Sequence, residues 1–147
     1  MKFNKLILFG FLSSVFLISS CSKEQGCMDS DAVNFNLLAE EDDNSCQYEG
    51  KVVFWYGQTS ANGLISDGAI SLSYNVDGQN VGSSASNVYW TGAPDCGQDA
   101  SLTVTKDLGN VKTQSYSYNV VDQDGFEYWT GTINFNANTC TSLELEW

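Results

Sequence analysis

Ile70-Ser71-Leu72-Ser73-Tyr74-Asn75-Val76-Asp77-Gly78-Gln79 is the stretch that decides the fold. Ile70, Leu72, Tyr74 and Val76 alternate with Ser71, Ser73 and Asn75, the period of a strand with one face on a core. Asp77-Gly78 follows at once, and Asp-Gly is a favoured pair where a two-residue hairpin needs positive φ twice. The same texture runs outward from there. Leu102 and Val104 alternate with Ser101, Thr103 and Thr105; Tyr116, Tyr118 and Val120 with Ser115, Ser117 and Asn119; Leu143, Leu145 and Trp147 with Ser142, Glu144 and Glu146. Asp67-Gly68, Gly109-Asn110 and Asp124-Gly125 separate the runs, Pro94 is the only proline, and no stretch carries a helical repeat. The pattern predicts strands near 50–56, 68–76, 79–84, 86–91, 100–106, 112–121, 126–136 and 140–147. Seven or eight short strands, each with one apolar face, imply an all-β fold, a small antiparallel two-sheet sandwich over residues 49–147.

The other end of the chain reads as an export signal, residues 1–20. Lys2 and Lys5 precede Leu6 to Ile18, a run broken only by Gly10, Ser13 and Ser14. The run is short of the roughly 20 apolar residues that span a bilayer and fits a cleaved signal. Leu17-Ile18-Ser19-Ser20-Cys21 resembles the bacterial lipobox, which implies lipid attachment at Cys21 and a membrane partner held through acyl chains. Residues 21–25 would then be a lipidated tether. Its Lys23-Glu24 partly resembles the signal that sends lipoproteins of Bacteroidetes bacteria to the cell surface, which implies a surface-exposed location on the outer membrane.

Charge narrows the partners. The chain has 18 acidic and 6 basic residues and no histidine. Lys2 and Lys5 leave with the signal, so 4 basic residues face 18 acidic ones, a net of −14 over the 127 residues left from 147. Duplex nucleic acid is excluded as a partner, because phosphate binding needs a basic footprint.

Cys27, Cys46, Cys96 and Cys140 remain after Cys21, an even number in an exported chain, with three possible pairings. Residues 26–48 run from Gly26-Cys27-Met28-Asp29 through Ala32-Val33-Asn34-Phe35-Asn36 to Asp42-Asp43-Asn44-Ser45-Cys46. This segment resembles a small Cys-bounded module of secreted Bacteroidetes proteins, with Met28, Leu37 and Asn44 in place of the family's Thr, Pro and Gly. A segment so short needs a staple. A Cys27–Cys46 bridge would close about 20 residues and contribute roughly 3 kcal/mol in the chain-entropy model. Val33, Phe35 and Leu38 are expected as an apolar knot beside it, with Glu40 to Asp43 outward. Calcium is the one cofactor the sequence leaves open: Asp29, Asp31, Asp42 and Asp43 offer oxygen ligands within one closed loop, though not at EF-hand spacing.

The second pair, Cys96–Cys140, would pin the last strand, since Cys96 precedes one strand and Cys140 starts another. Cross-pairing would instead tie together two units that each look complete. Gly50 to Trp55, Val76 to Gln79, Pro94-Asp95-Cys96-Gly97, Tyr116 to Tyr118, Trp129-Thr130-Gly131-Thr132-Ile133 and Cys140 together resemble a β-sandwich of Bacteroidetes cell-envelope lipoproteins, similar to transthyretin-like or carboxypeptidase-regulatory-like domains. The resemblance implies a fold and an envelope setting and no activity.

Nothing in the sequence marks an enzyme. Without histidine the commonest general base is missing, and there is no nucleophile elbow or phosphate loop. Trp55, Trp90 and Trp129 are the candidate ligand-binding residues. They stand in Phe54-Trp55-Tyr56, Tyr89-Trp90 and Tyr128-Trp129, and a regular strand sends neighbours to opposite faces. One ring of each pair is therefore expected outside the core, where it can meet a glycan or an envelope protein. The expected function is a membrane-anchored binding or structural module. The alternatives are a small carbohydrate-active enzyme and a docking subunit of an outer-membrane assembly.

Overall fold

A computed structural model describes residues 22–147; the signal segment and Cys21 lie outside the described residues. In chain order the elements are β1 (Gln25–Gly26), β2 (Glu41–Asp42), β3 (Tyr48–Trp55), α1 (Gln58–Ser66), β4 (Ser71–Val76), β5 (Gln79–Ala85), β6 (Leu102–Gly109), β7 (Thr113–Asp122), β8 (Glu127–Asn136) and β9 (Cys140–Glu144). Seven of the strands make two sheets, ordered β6-β3-β9 and β5-β4-β7-β8, and β1 and β2 form a two-residue ladder of their own. The all-β sandwich is thus the observed fold.

The deciding stretch behaves as its alternation requires. Leu72, Tyr74 and Val76 are buried, Val76 pairs with Gln79 across the turn, and Asp77 and Gly78 take φ of 56° and 71°, the geometry of a primed two-residue hairpin. Ile70 is the exception: it precedes the strand and is 74% exposed. The two sheets meet face to face. Phe54 of the first lies 5.8 Å from Tyr74 and 5.6 Å from Tyr118 of the second, ring centre to ring centre, and Val52, Val120, Ile133 and Phe135 complete the layer. At one corner the sheets touch backbone to backbone: a Cβ on Gly50 would stand 2.9 Å from the Asn136 carbonyl oxygen.

Three expectations are corrected. Residues 58–66 form a helix, with Ser60, Ala61 and Leu64 buried. Residues 86–91 are not a strand; Ser86 donates to the Ala69 carbonyl at 2.6 Å, and the Trp90 amide caps the Tyr56 carbonyl at 3.0 Å. The sandwich is not wholly antiparallel either, because β9 runs parallel to β3. The cause lies in the crossover from β8. The Asn138 amide donates to Glu49 and the Lys51 amide to Thr139, so the chain enters the first sheet beside the start of β3 and must run along it.

Both disulfides form as expected, Cys27–Cys46 and Cys96–Cys140. The small module is held differently from the expectation. Val33, Phe35 and Leu38 form no apolar knot: they are 60%, 40% and 78% exposed. Cys27, Ala32, Cys46 and Tyr48 are buried instead and run into the sandwich core. Asn44 supplies the left-handed turn at φ 61° that glycine would otherwise provide, and Glu40 to Asp43 point outward.

Candidate functional site

β8 is an edge strand, and its pairing with β7 carries one irregularity. Val120 pairs with Trp129 and Val121 with Glu127, so Tyr128 has no partner across the ladder. Such a bulge re-aims side chains. Tyr128 and Trp129, neighbours in sequence, both turn into one groove, with ring centres 5.8 Å apart. Phe126, just past the Asp124-Gly125 turn, meets Tyr128 edge-on at 5.0 Å, and Trp147 meets it at 5.8 Å. Trp129 is fixed from beneath by Tyr56, stacked at 6.1 Å and 20°, and from the side by its indole N–H, which donates to the Glu146 carbonyl at 2.7 Å.

The groove has a volume of about 340 Å³, and Asp67, Glu127 and Glu146 add carboxylates to its four rings. Asn119 holds the Glu127 carboxylate at 3.0 Å. Burial, with the charges of Asp67 and Asp122, pushes the Tyr128 phenol above its ordinary pKa, so it stays a hydroxyl at neutral pH. A second hollow of about 280 Å³ adjoins, lined by Gly57, Thr59, Ser60, Glu144, Glu146 and Trp147. Trp147 is the wall shared by the two. It lies across α1 at Gly63, where any Cβ would run into the indole. Phe126 and Trp147 remain 62% and 56% exposed, so their faces are available to a ligand.

The structure does not gather Trp55, Trp90 and Trp129 into one face. Trp129 belongs to the groove. Trp55 and Trp90 line a different hollow of about 20 Å³ with Ala100 and Leu102, too tight for more than about one water. The Trp55 indole N–H is buried without a protein partner. Phe126, Trp147, Asp67 and Glu146 went unrecognised as site residues in the sequence. Their local signals were the Asp67-Gly68 and Asp124-Gly125 turns and the alternation that ends at Trp147, none of which marks a site.

The four acids considered for calcium do not converge; among the described residues no metal-binding group of three or more such side chains occurs. Lys112 of the sandwich supplies the cation to half of them, reaching Asp29 at 2.6 Å and Asp31 at 3.0 Å. Tyr48 donates to Asp29 at 2.9 Å as well. Held by the Lys112 ammonium first, then by the Asp31 amide and Tyr48, the Asp29 carboxyl falls to a pKa of about 2. The same pair, Asp29 before Asp31, raises that of Lys112. Asp42 and Asp43 instead accept the amides of Asn44 and Ser45 at 3.0 and 2.9 Å, the local turns such side chains favour. Beside this clamp, Asp31, Val33, Lys51 and Thr139 line a seam of about 350 Å³ between module and sandwich. It has no ring, so it lacks the stacking surface of the groove.

Comparison with protein-family models, with curated proteins and with solved structures returned no match.

Proposed function

We propose that this chain is a lipid-anchored protein of the cell envelope whose sandwich binds a glycan at the Trp147 groove, without catalysis. The observation that carries the reading is the groove itself: four rings, two of them more than half exposed, with only carboxylates for charge. Ring faces stack on the C–H faces of a sugar, and carboxylates accept its hydroxyls. An anionic ligand is opposed by Asp67, Glu127 and Glu146, so the sugar is neutral or basic. Two adjoining hollows parted by one indole fit two consecutive sugar units. The larger, about 340 Å³, lies at the small end of the range for ligand pockets, and the smaller, about 280 Å³, just below it.

Support for the setting comes from the lipobox-like run at Cys21 and from two disulfides, which persist in oxidising compartments. Among the described residues no helix is long and apolar enough to cross a membrane. On this reading the lipid is the anchor, and Cys21→Ser, once its signal is cleaved, should leave the membrane fraction under a high-salt wash.

The test of binding is titration of tryptophan emission with neutral envelope oligosaccharides. Trp147→Ala should weaken binding about 2- to 12-fold, the equivalent of the roughly 0.5–1.5 kcal/mol that a stacked ring contributes. Trp55→Phe should leave it unchanged. A sugar response that survives Trp147→Ala intact refutes the groove. Absence of any response, with capture of an envelope protein that Trp147→Ala abolishes, replaces the glycan with a protein ligand.

A further inference from the structure

The small module exposes apolar side chains that the sandwich does not use. Leu37 is 82% and Leu38 78% exposed, at the tip of the turn closed by the Ala39 amide on Asn36. Met28 and Phe35, 49% and 40% exposed, stand beside them: the Cys27–Phe35 bridge and the Asn36 amide on the Cys27 carbonyl tie the two segments together. This turn also sits close to the start of the described chain. The Glu40 and Glu41 amides both donate to the Glu24 carbonyl, at 2.8 and 3.2 Å, which places Leu38 two residues from the point where the tether is fastened.

We infer that the Leu37–Leu38 turn rests in the bilayer that carries the anchor. The inference builds on the lipid-anchor reading above. Cys21 is three residues before Glu24, and an extended chain covers at most about 3.6 Å per residue. A lipid on Cys21 thus holds Glu24, where the turn is fastened, within roughly 11 Å of the membrane surface, and Leu38 is two residues from that fastening. A contact too weak to bind the free chain is populated at the local concentration so short a tether imposes. The occupant is the apolar boundary of the bilayer and not its charge, because Glu24 is bonded to the turn's exit at Glu40 and Glu41, Asp42 and Asp43 follow, and Lys23 is the one basic residue next to them in sequence. Docked this way, the module is a foot that orients the sandwich, instead of a bead on a flexible leash.

The experiment places a reporter at the turn. Leu38→Trp is prepared as the acylated protein in phosphatidylcholine vesicles with and without brominated acyl chains. Bromolipid should quench an emission component absent from the parent, by roughly one ring's share, since the parent already carries 4 Trp. Replacing part of the lipid with phosphatidylglycerol should weaken that quenching. Mass measurement of the N-terminal peptide reads acylation separately. If no acyl mass is found, a histidine tag ahead of Ser22 and nickel-chelating lipid supply the tether, so failure of the anchor and failure of the foot are told apart. Emission unquenched by bromolipid overturns the inference, as does quenching that grows with anionic lipid. Concentration-dependent dimerisation of Cys21→Ser that Leu37→Ser with Leu38→Ser abolishes also overturns it, because a second copy then covers this face.

Discussion

Gly63→Ala separates local helix preference from the packing that builds the groove. Within a helix, alanine is favoured over glycine by about 1 kcal/mol, so α1 alone would gain from the change. The new methyl, however, would stand 2.7 Å from Cε3 of Trp147 and closer still to other atoms of that ring, so the indole must leave. Trp147 is 56% exposed. The covered remainder is roughly 90 Å², which at about 25 cal/mol per Å² amounts to ~2 kcal/mol, an upper figure because the unfolded chain is itself partly compact. The expected balance is a net loss of about 1 kcal/mol, a drop of roughly 4 °C in Tm for a chain of this size. The decisive measurement repeats the change in Trp147→Ala. With no indole to displace, Gly63→Ala should stabilise by about 1 kcal/mol, a reversal of sign and a coupling of ~2 kcal/mol across the cycle. Thermal unfolding followed by circular dichroism reads all four proteins. Equal stabilisation in both backgrounds would mean that Trp147 slides aside at no cost, and the account of how α1 positions the groove would be wrong.

Other outcomes follow from the same structure. Gly50→Ala should lower the urea midpoint by the equivalent of about 1–3 kcal/mol, because its Cβ meets Asn136 backbone atoms at 2.9 and 3.0 Å and backbone has no rotamer to change. Replacing Cys96 and Cys140 by serine should cost about 4 kcal/mol in the chain-entropy model, given their separation of 44 residues, and calorimetry would show it. The Lys112 clamp sets a pH window for the module. The lowered Asp29 group stabilises the fold fully above its unfolded pKa of 3.8, and the effect is lost as pH falls through about 2. The raised Lys112 group contributes fully below its unfolded 10.5 and loses its contribution at higher pH. Amide protection factors over residues 26–48, corrected for the intrinsic pH dependence of exchange, should therefore fall below pH 4, and Asp29→Asn should flatten that part of the profile.

What the sequence made legible was local. The hairpin at Asp77-Gly78 lies between strands whose alternation needs no distant residue to interpret. The helix α1 was hidden because its support is tertiary. Gln58–Ser66 includes Asn62 and Gly63, poor helix formers, and is held by the Ser60 hydroxyl on the Leu145 carbonyl at 2.9 Å and by burial of Ala61 and Leu64. The parallel course of β9 was hidden for a like reason, since its direction is set by two hydrogen bonds between the crossover and β3. In the module, apolar composition alone pointed to a knot of Val33, Phe35 and Leu38. A disulfide and an ion pair to a lysine 81 residues beyond Asp31 hold it in place of that knot.

The site follows the same division. Adjacent rings were expected on opposite faces, and along β3 that logic holds: Phe54 and Tyr56 are buried and Trp55 lies on the other side. There the ladder to β6 is continuous from Glu49 to Phe54, and Trp55 is half-buried with its indole N–H closed off from water, Trp90 of the following loop lying beside it. A ring left outside one sheet is thus no sign of a ligand when a loop crosses over it. At Tyr128 the opposite happens. One unpartnered residue breaks the alternation, both rings face one way, and the edge position of β8 leaves no further strand to cover them. Exposed rings gather where the strand departs from its period, so the binding surface arises from the irregularity that alternation cannot register.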